Sequence, residues 1–414
     1  MEEREFLSVT IARLLAAHDR LDVLRAEAAR GDWSCGVALG EELIRRGELH
    51  NALRVYRTFL EPARWGGAAE RAIEVLEEVH GVERALEFVR PYADAGDRNA
   101  IRRLALVLGR QGRIDEVFAL LRPHLTDWWL AEALVEATAG HGRDEEVIAA
   151  LAPLADPEPW NVRLLLATVL ERGARRGEAI DLLRGGAFGS TNEAERLAEL
   201  LRREGREAEL RDLMTVRGRE EAAYALAALL EDQDRLPEAV DTLRAYADRG
   251  RVNPSLALGK LLHRHGRGEE AADVLTVAIR AEGTDHGCTR QQLWTMLIED
   301  GRPGAALARL EDLEREFDPA DLVWDRVWLL REVGRPEEAL TLLRTRPDPA
   351  DAIALRTEAH ILTNLGRRDE AIAVLRAHVT APYVAPVLAE LLIEAGAIDD
   401  ALAVLGRPPR TTNC

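Results

Sequence analysis

Gly366-Arg367-Arg368-Asp369-Glu370-Ala371-Ile372-Ala373-Val374-Leu375-Arg376 reads as the end of one helix, a tight corner and the start of another. Gly366 closes an apolar-periodic run through Leu355, Ala359 and Leu362, and suits the left-handed conformation that ends a helix. Asp369 and Glu370 then fall in the first turn of the next helix, where carboxylates favour the positive end of the dipole. Ala371 is small enough for close helix approach, and Leu375, four residues on, shares its face. Such a hairpin cannot bury its apolar faces alone, so it needs neighbours of its own kind.

Those neighbours recur along the chain. Aligned on Gly366, the corners are His18, Gly47, His80, Gly112, Gly142, Ala174, Gly205, Asp234, Gly266, Gly301, Gly334, Gly366 and Gly396. Five residues after the corner stands a small or aliphatic residue, such as Ala52, Ala85, Ala179, Ala239, Ala306 or Ala371. Four further on comes a larger apolar one, such as Tyr56, Val89, Leu183, Leu243, Leu310 or Leu375. The first unit departs: with His18 at the corner, Val23 follows correctly, but Glu27 occupies the apolar place.

This spacing, with a corner Gly and an Ala five residues later, resembles the tetratricopeptide repeat, or TPR. Gly40 and Gly259 match that family's small residue in mid-helix, and Gly334-Arg335-Pro336-Glu337-Glu338-Ala339 matches the start of its second helix. The resemblance implies an all-α fold, a right-handed α-solenoid superhelix of about thirteen TPR-like hairpins over residues 1–405, with a bend near the irregular 185–191 linker and a disordered tail at 406–414. Pro91, Pro123 and Pro153 fall inside second helices and are expected to kink or shorten them. Asp32 before Trp33 and Asp127 before Trp128 and Trp129 read as N-caps followed by packing anchors, and Trp65 and Trp160 stand at similar places.

Composition narrows the function. The formal charge of −18 and the lack of a strongly basic segment argue against nucleic acid. The N-terminus lacks a signal peptide's basic and apolar regions, and no apolar run is long enough for a membrane span, so a cytoplasmic protein is expected. Three cysteines, Cys35, Cys288 and Cys414, are too few and scattered for a disulfide framework. Gly185-Gly186-Ala187-Phe188-Gly189-Ser190 has no preceding strand and no following Lys, and so fails as a phosphate loop. His263-Arg264-His265 and His286-Gly287-Cys288 have poor metal-ligand spacing. No cofactor, no metal and no enzymatic activity are expected.

In TPR arrays the first helix of each hairpin lines a concave groove, and the resemblance puts the residues ten, six and three before the corner on it. These give an acidic stretch of Glu70, Glu74, Glu77, Glu132, Glu136, Glu195 and Glu199. A mixed stretch follows, with Tyr224, Lys260 (the chain's one lysine), His263, Gln291, Thr295, Trp324, Trp328, Arg331, Arg356, His360 and Thr363, and Asn253 and Tyr383 at its edge. Trp324 and Trp328 are four apart and share a face, while Val323, Val327 and Leu330 supply the core stripe. The reading is a non-enzymatic scaffold that binds a protein or peptide in the groove, with aromatic anchors and basic groups for an anionic one. The alternative is a sensor of a small molecule or signalling peptide that acts through a separate effector. The last hairpin has no polar capping helix after it, which leaves room for a homodimer through a terminal repeat.

Overall fold

The computed structural model describes residues 6–406 except 62–63, 156–159, 187–189, 216–219, 248–251, 283–286, 347 and 349–350. The expected C-terminal tail after 406, residues 187–189 of the 185–191 linker, His286 and Cys414 therefore lie outside the described residues. Among the described residues, twenty-six α-helices form thirteen successive hairpins, from Val9–Ala17 with Leu21–Ala28 to Val384–Glu394 with Ile398–Val404. Among the described residues there is no strand beyond an isolated bridge between Glu61 and Arg64. The chain forms two compact units. One comprises the residues up to Pro123 together with those from Leu343 on; the other is His124–Leu342.

Twelve of the thirteen hairpins among the described residues turn on a left-handed residue; the third turns at Gly81, one residue after the expected His80, with φ 79° but an extended ψ of 171°. Positive φ occurs at Gly47, Gly112, Gly142, Gly205, Gly266, Gly301, Gly334, Gly366 and Gly396, and also at the non-glycine corners Ala174 and Asp234. At the Gly366 corner, the amide of Gly366 donates to the Thr363 carbonyl and that of Arg367 to the Leu362 carbonyl, which satisfies carbonyls that a helix end would leave open. The first unit is regular after all. Its left-handed residue is Asp19, one residue later than the spacing suggested, and Leu24 and Ala28 then take the apolar places, both buried. Glu27 interrupts nothing; it is buried beside that stripe and paired with Arg30 at 2.5 Å.

Close packing sets the other constraint. A Cβ on Gly40 would fall within 2.3 Å of the Tyr56 ring and hydroxyl, and one on Gly259 would lie 3.1 Å from Leu275. Both glycines thus sit where the second helix lays its large side chain against the first. Two of the three prolines shorten their helices as expected, but Pro91 does not, since its helix runs on for 13 residues. Pro91 lies within Val82–Asp94. Pro123 and Pro153 sit in single 3₁₀ turns, Arg122–His124 and Ala152–Leu154, that follow shortened helices Ile114–Leu121 and Asp144–Leu151.

Arginines tie hairpin to hairpin. The residue after the corner is usually Arg, and it holds a carboxylate three residues on: Arg175 with Glu178 at 2.7 Å, Arg235 with Glu238 at 2.7 Å, Arg367 with Glu370 at 2.9 Å. The same guanidinium often reaches the start of the previous second helix, as Arg175 does to Glu145 at 2.6 Å and Arg235 to Glu207 at 2.6 Å. The side-chain hydrogen bonds of Arg235 and then Arg211 hold Glu207 down to about 2.

The last hairpin's outer face is covered within the chain itself: Val9–Ala17 packs on Val384–Glu394 in the first compact unit. The terminal face that would be open to a second copy is occupied by the chain's own first hairpin.

Two outcomes follow from the corners and the clasps. Ala174→Gly and Asp234→Gly remove a left-handed non-glycine residue and should each stabilise the fold by about 1 kcal/mol, whereas Gly366→Ala should cost a similar amount; thermal unfolding followed by circular dichroism reads both signs. Glu207 titrates in the folded chain near 2 against an ordinary 4.5, so its contribution is complete above 4.5 and is lost as pH falls towards 2. Helicity should hold at neutral pH and decline through that acidic window, and an acid titration that begins to unfold the chain near neutrality would contradict it.

Candidate partner-binding face

The candidate residues divide between the two compact units, and each group is described by itself. Glu70, Glu74, Glu77, Arg356, His360, Thr363 and Tyr383 belong to the first; the remainder belong to the second.

The acidic stretch is largely neutralised. Glu70 accepts from Trp65 Nε1 at 2.8 Å and pairs with Arg103 at 3.1 Å. Glu77 pairs with Arg110 at 2.8 Å, and Glu74 lies 3.8 Å from Arg71. Arg103 and Arg110 stand on the next first helix, so these pairs run between hairpins. In the second unit, Glu199 accepts from Arg202 at 2.9 Å and Arg203 at 2.6 Å, and those hydrogen bonds, Arg202's foremost, draw it down to about 2. Glu132 is half-buried, and Glu136 and Glu195 are exposed. The expected strongly acidic surface is thus mainly a ladder of ion pairs. The sequence signal was available in the arginines three or four residues from Glu74 and Glu199, and in those one repeat on from Glu70 and Glu77.

Of the remaining first-unit residues, Arg356 and His360 are exposed, and His360 Nε2 lies 3.2 Å from Asn364 Nδ2. Thr363 is half-buried and donates back to the Ala359 carbonyl at 2.8 Å. Tyr383 is 84% exposed in a left-handed conformation at the start of its helix.

In the second unit, Tyr224 donates to Glu220 at 2.8 Å. Lys260 and Asn253 are exposed on Val252–Arg264, and Thr295 is half-buried on Gly287–Glu299. His263 places Nε2 3.4 Å from Glu299 and Nδ1 3.4 Å from Asp300, while His265 meets Glu231 at 2.9 Å. The two imidazoles therefore serve different carboxylates. No group of three potential metal ligands occurs among the described residues.

Trp324 and Trp328 lie on Val323–Glu332. The buried residues there are Leu322, Val327, Leu329 and Leu330, with Val323 only half-buried. At roughly 100° per residue, these occupy one side of the helix, and Trp324, Trp328 and Arg331 occupy the opposite side. All three are half-buried. Of the five tryptophans expected as packing anchors, Trp65 is buried and Trp33 half-buried against Tyr56 and Phe59, whereas Trp128 is 48% exposed, edge-on to Trp129. The Trp160 side chain lies outside the described residues.

Sequence reasoning missed the group that orients this helix. Asp325, next to Trp324, accepts from Trp294 Nε1 at 2.7 Å and from Arg290 Nε at 3.0 Å. Trp294 and Arg290 are both buried on the preceding first helix, and the Asp325 side chain is 14% exposed. One carboxylate thus ties this helix to the preceding first helix, one residue after Trp324.

No protein-family model matches the chain, and no curated protein does. Among solved structures, the chain is similar to that of Naa15/Naa10 bound to HypK-THB, at 14% identity and a TM-score of 0.37, over 92% of this chain and 69% of that one. It is also similar to the pentatricopeptide repeat protein PPR10 from maize, at 14% and 0.32, over 90% of this chain and 63% of that one. A third is the APC/C hetero-tetramer Cut9-Hcn1, at 13% and 0.26, over 96% and 95%. No helix among the described residues is long and apolar enough to cross a membrane.

Breaking the Asp325 anchor has a defined cost. Asp325→Ala leaves the Arg290 guanidinium buried without its carboxylate and should destabilise the chain by about 3–5 kcal/mol. Asp325→Asn keeps an acceptor for Trp294 and should cost less; chemical denaturation that finds the two equal would remove the charge from the account.

Proposed function

We propose that this chain is a non-enzymatic scaffold that binds a protein or peptide partner in the groove that the exposed sides of its first helices line. The observation that carries this reading is the placement of Trp324, Trp328 and Arg331 on the side of Val323–Glu332 opposite its buried stripe. A large apolar side chain there has no role in the helix's own core. Completing the burial of one half-open indole on a partner contributes about 2 kcal/mol from area alone, so the pair supports a binding hot spot. Lys260, His263, Thr295 and Asn253 lie on the two preceding first helices and offer one cation and several polar groups. A partner segment with a bulky apolar residue beside a carboxylate suits that set. In the other unit, Arg356, His360, Thr363 and Tyr383 form a second polar and aromatic group of the same kind.

A sensor of a small molecule or signalling peptide is the alternative, and it would use the same face. The catalytic reading has less support. His263 stands against two carboxylates, but Glu299 is exposed and the arrangement reads as an ion pair at a helix end. The arginine–carboxylate ladders likewise pair carboxylates that a general acid or base would need free.

Substituting Trp324 and Trp328 together by alanine tests the reading. Affinity capture from the native cytosol with mass spectrometric identification should lose its specific partner, while helicity is retained and stability drops by no more than about 2–4 kcal/mol. Unchanged capture by the double variant would show that the indoles are not the anchor. A ligand of low molecular mass that co-purifies and is lost in the variant would favour the sensor.

A further inference from the structure

An open helical-repeat array needs polar outer faces on its terminal repeats. Neither end of this chain has one. The first helix reads Val9-Thr10-Ile11-Ala12-Arg13-Leu14-Leu15-Ala16-Ala17, and the last first-helix reads Val384-Ala385-Pro386-Val387-Leu388-Ala389-Glu390-Leu391-Leu392-Ile393-Glu394. Both are apolar nearly all round, and they pack on each other. Ile11, Ala12 and Leu15 are buried on one; Leu388, Ala389, Leu392 and Ile393 on the other.

The contact repeats the chain's own interface. Arg20 follows the left-handed corner Asp19, as Arg175 follows Ala174. It holds Asp22 of its own hairpin at 3.0 Å and reaches Asp399 of the last hairpin at 3.4 Å. Asp399 stands three residues after the corner Gly396, as Glu145 stands three after Gly142. The arginine bridge across the seam therefore repeats those between successive hairpins, and the two first helices pack on each other as Val9–Ala17 packs on Trp33–Arg45. Two features set this seam apart. Its partners are 379 residues apart in sequence, where other adjoining hairpins are joined by short connections. Its arginine bridge is also longer than the 2.6 Å bridges of Arg175 and Arg235, and it is partly open to solvent, with Arg20 and Asp399 side chains 26% and 68% exposed.

We infer that the seam between the first and last hairpins is a latch, which opens by separating two intact hairpins and bares an apolar face on each. Each hairpin keeps its own corner and its packing on the neighbour it is joined to, Val9–Ala17 on Trp33–Arg45 and Val384–Glu394 on Arg368–Ala377. Opening therefore removes only the contact between the ends. Salt favours the open form, because the bridge is exposed and screened.

Hydrogen exchange of the full chain, read by mass spectrometry, tests the latch. Asp399→Arg sets two guanidinium groups against each other and should speed amide exchange about threefold or more in both Val9–Ala17 and Val384–Glu394. Adding Arg20→Asp to the same chain should restore it, and Leu236–Ala247 in the other unit should not change. In the unaltered chain, raising salt from about 0.05 M to about 1 M should act in the same direction at both ends. Faster exchange in Val384–Glu394 alone would mean local fraying and overturn the latch, as would no change at either end. Light scattering should give the 45.9 kDa monomer; a dimer would place the seam between copies and overturn the intrachain device.

Discussion

The constraint on which everything else depends is the positive-φ residue at each corner. It ends one helix, turns the next back along it and returns the last amides to the open carbonyls of the first. Because the corner is closed by hydrogen bonds within a few residues, its geometry is nearly the same wherever it occurs. Ala174, Asp234 and Asp19 adopt it without glycine, which shows that packing on both sides is strong enough to hold a strained backbone. Repetition of one corner then aligns thirteen pairs of apolar faces, and each hairpin completes the core of its neighbour.

Charge plays the second part. A chain with net charge −18 and 31% charged residues does not carry its acids as a free surface field. Arginines after the corners and on the first helices collect them into bridges within and between hairpins. Individually, exposed pairs contribute little, but a regular ladder favours one register of hairpin on hairpin over others. It also changes what the outer face offers a partner. Glutamates paired to arginine are poor attractors of cations, and the apolar and unneutralised groups stand out by contrast.

Much of the fold was legible. The corner glycines, the alanines after them and the mid-helix Gly40 and Gly259 all fell where the spacing put them. The misses at the first and third corners came from aligning on His18 and His80, where the positive-φ residues are their neighbours Asp19 and Gly81. The candidate face was legible only as a set of positions. That Trp324 and Trp328 lie opposite the buried stripe follows from helical periodicity. That Asp325 anchors the helix through Trp294 and Arg290 does not, since those partners lie some thirty residues away on another helix.

Sequence alone determined what is local: which residues turn, which faces are apolar, and that each unit must stack on another of its kind. Corners and periodicity depend on residues within a few positions, so a linear reading reaches them. Tertiary structure decided the pairings between distant residues. It set which arginine neutralises which glutamate, which buried carboxylate orients the tryptophan helix, and that the apolar first helix covers the apolar last one. An apolar end shows in the sequence that something must cover it; only the packed chain shows that the cover is its own beginning.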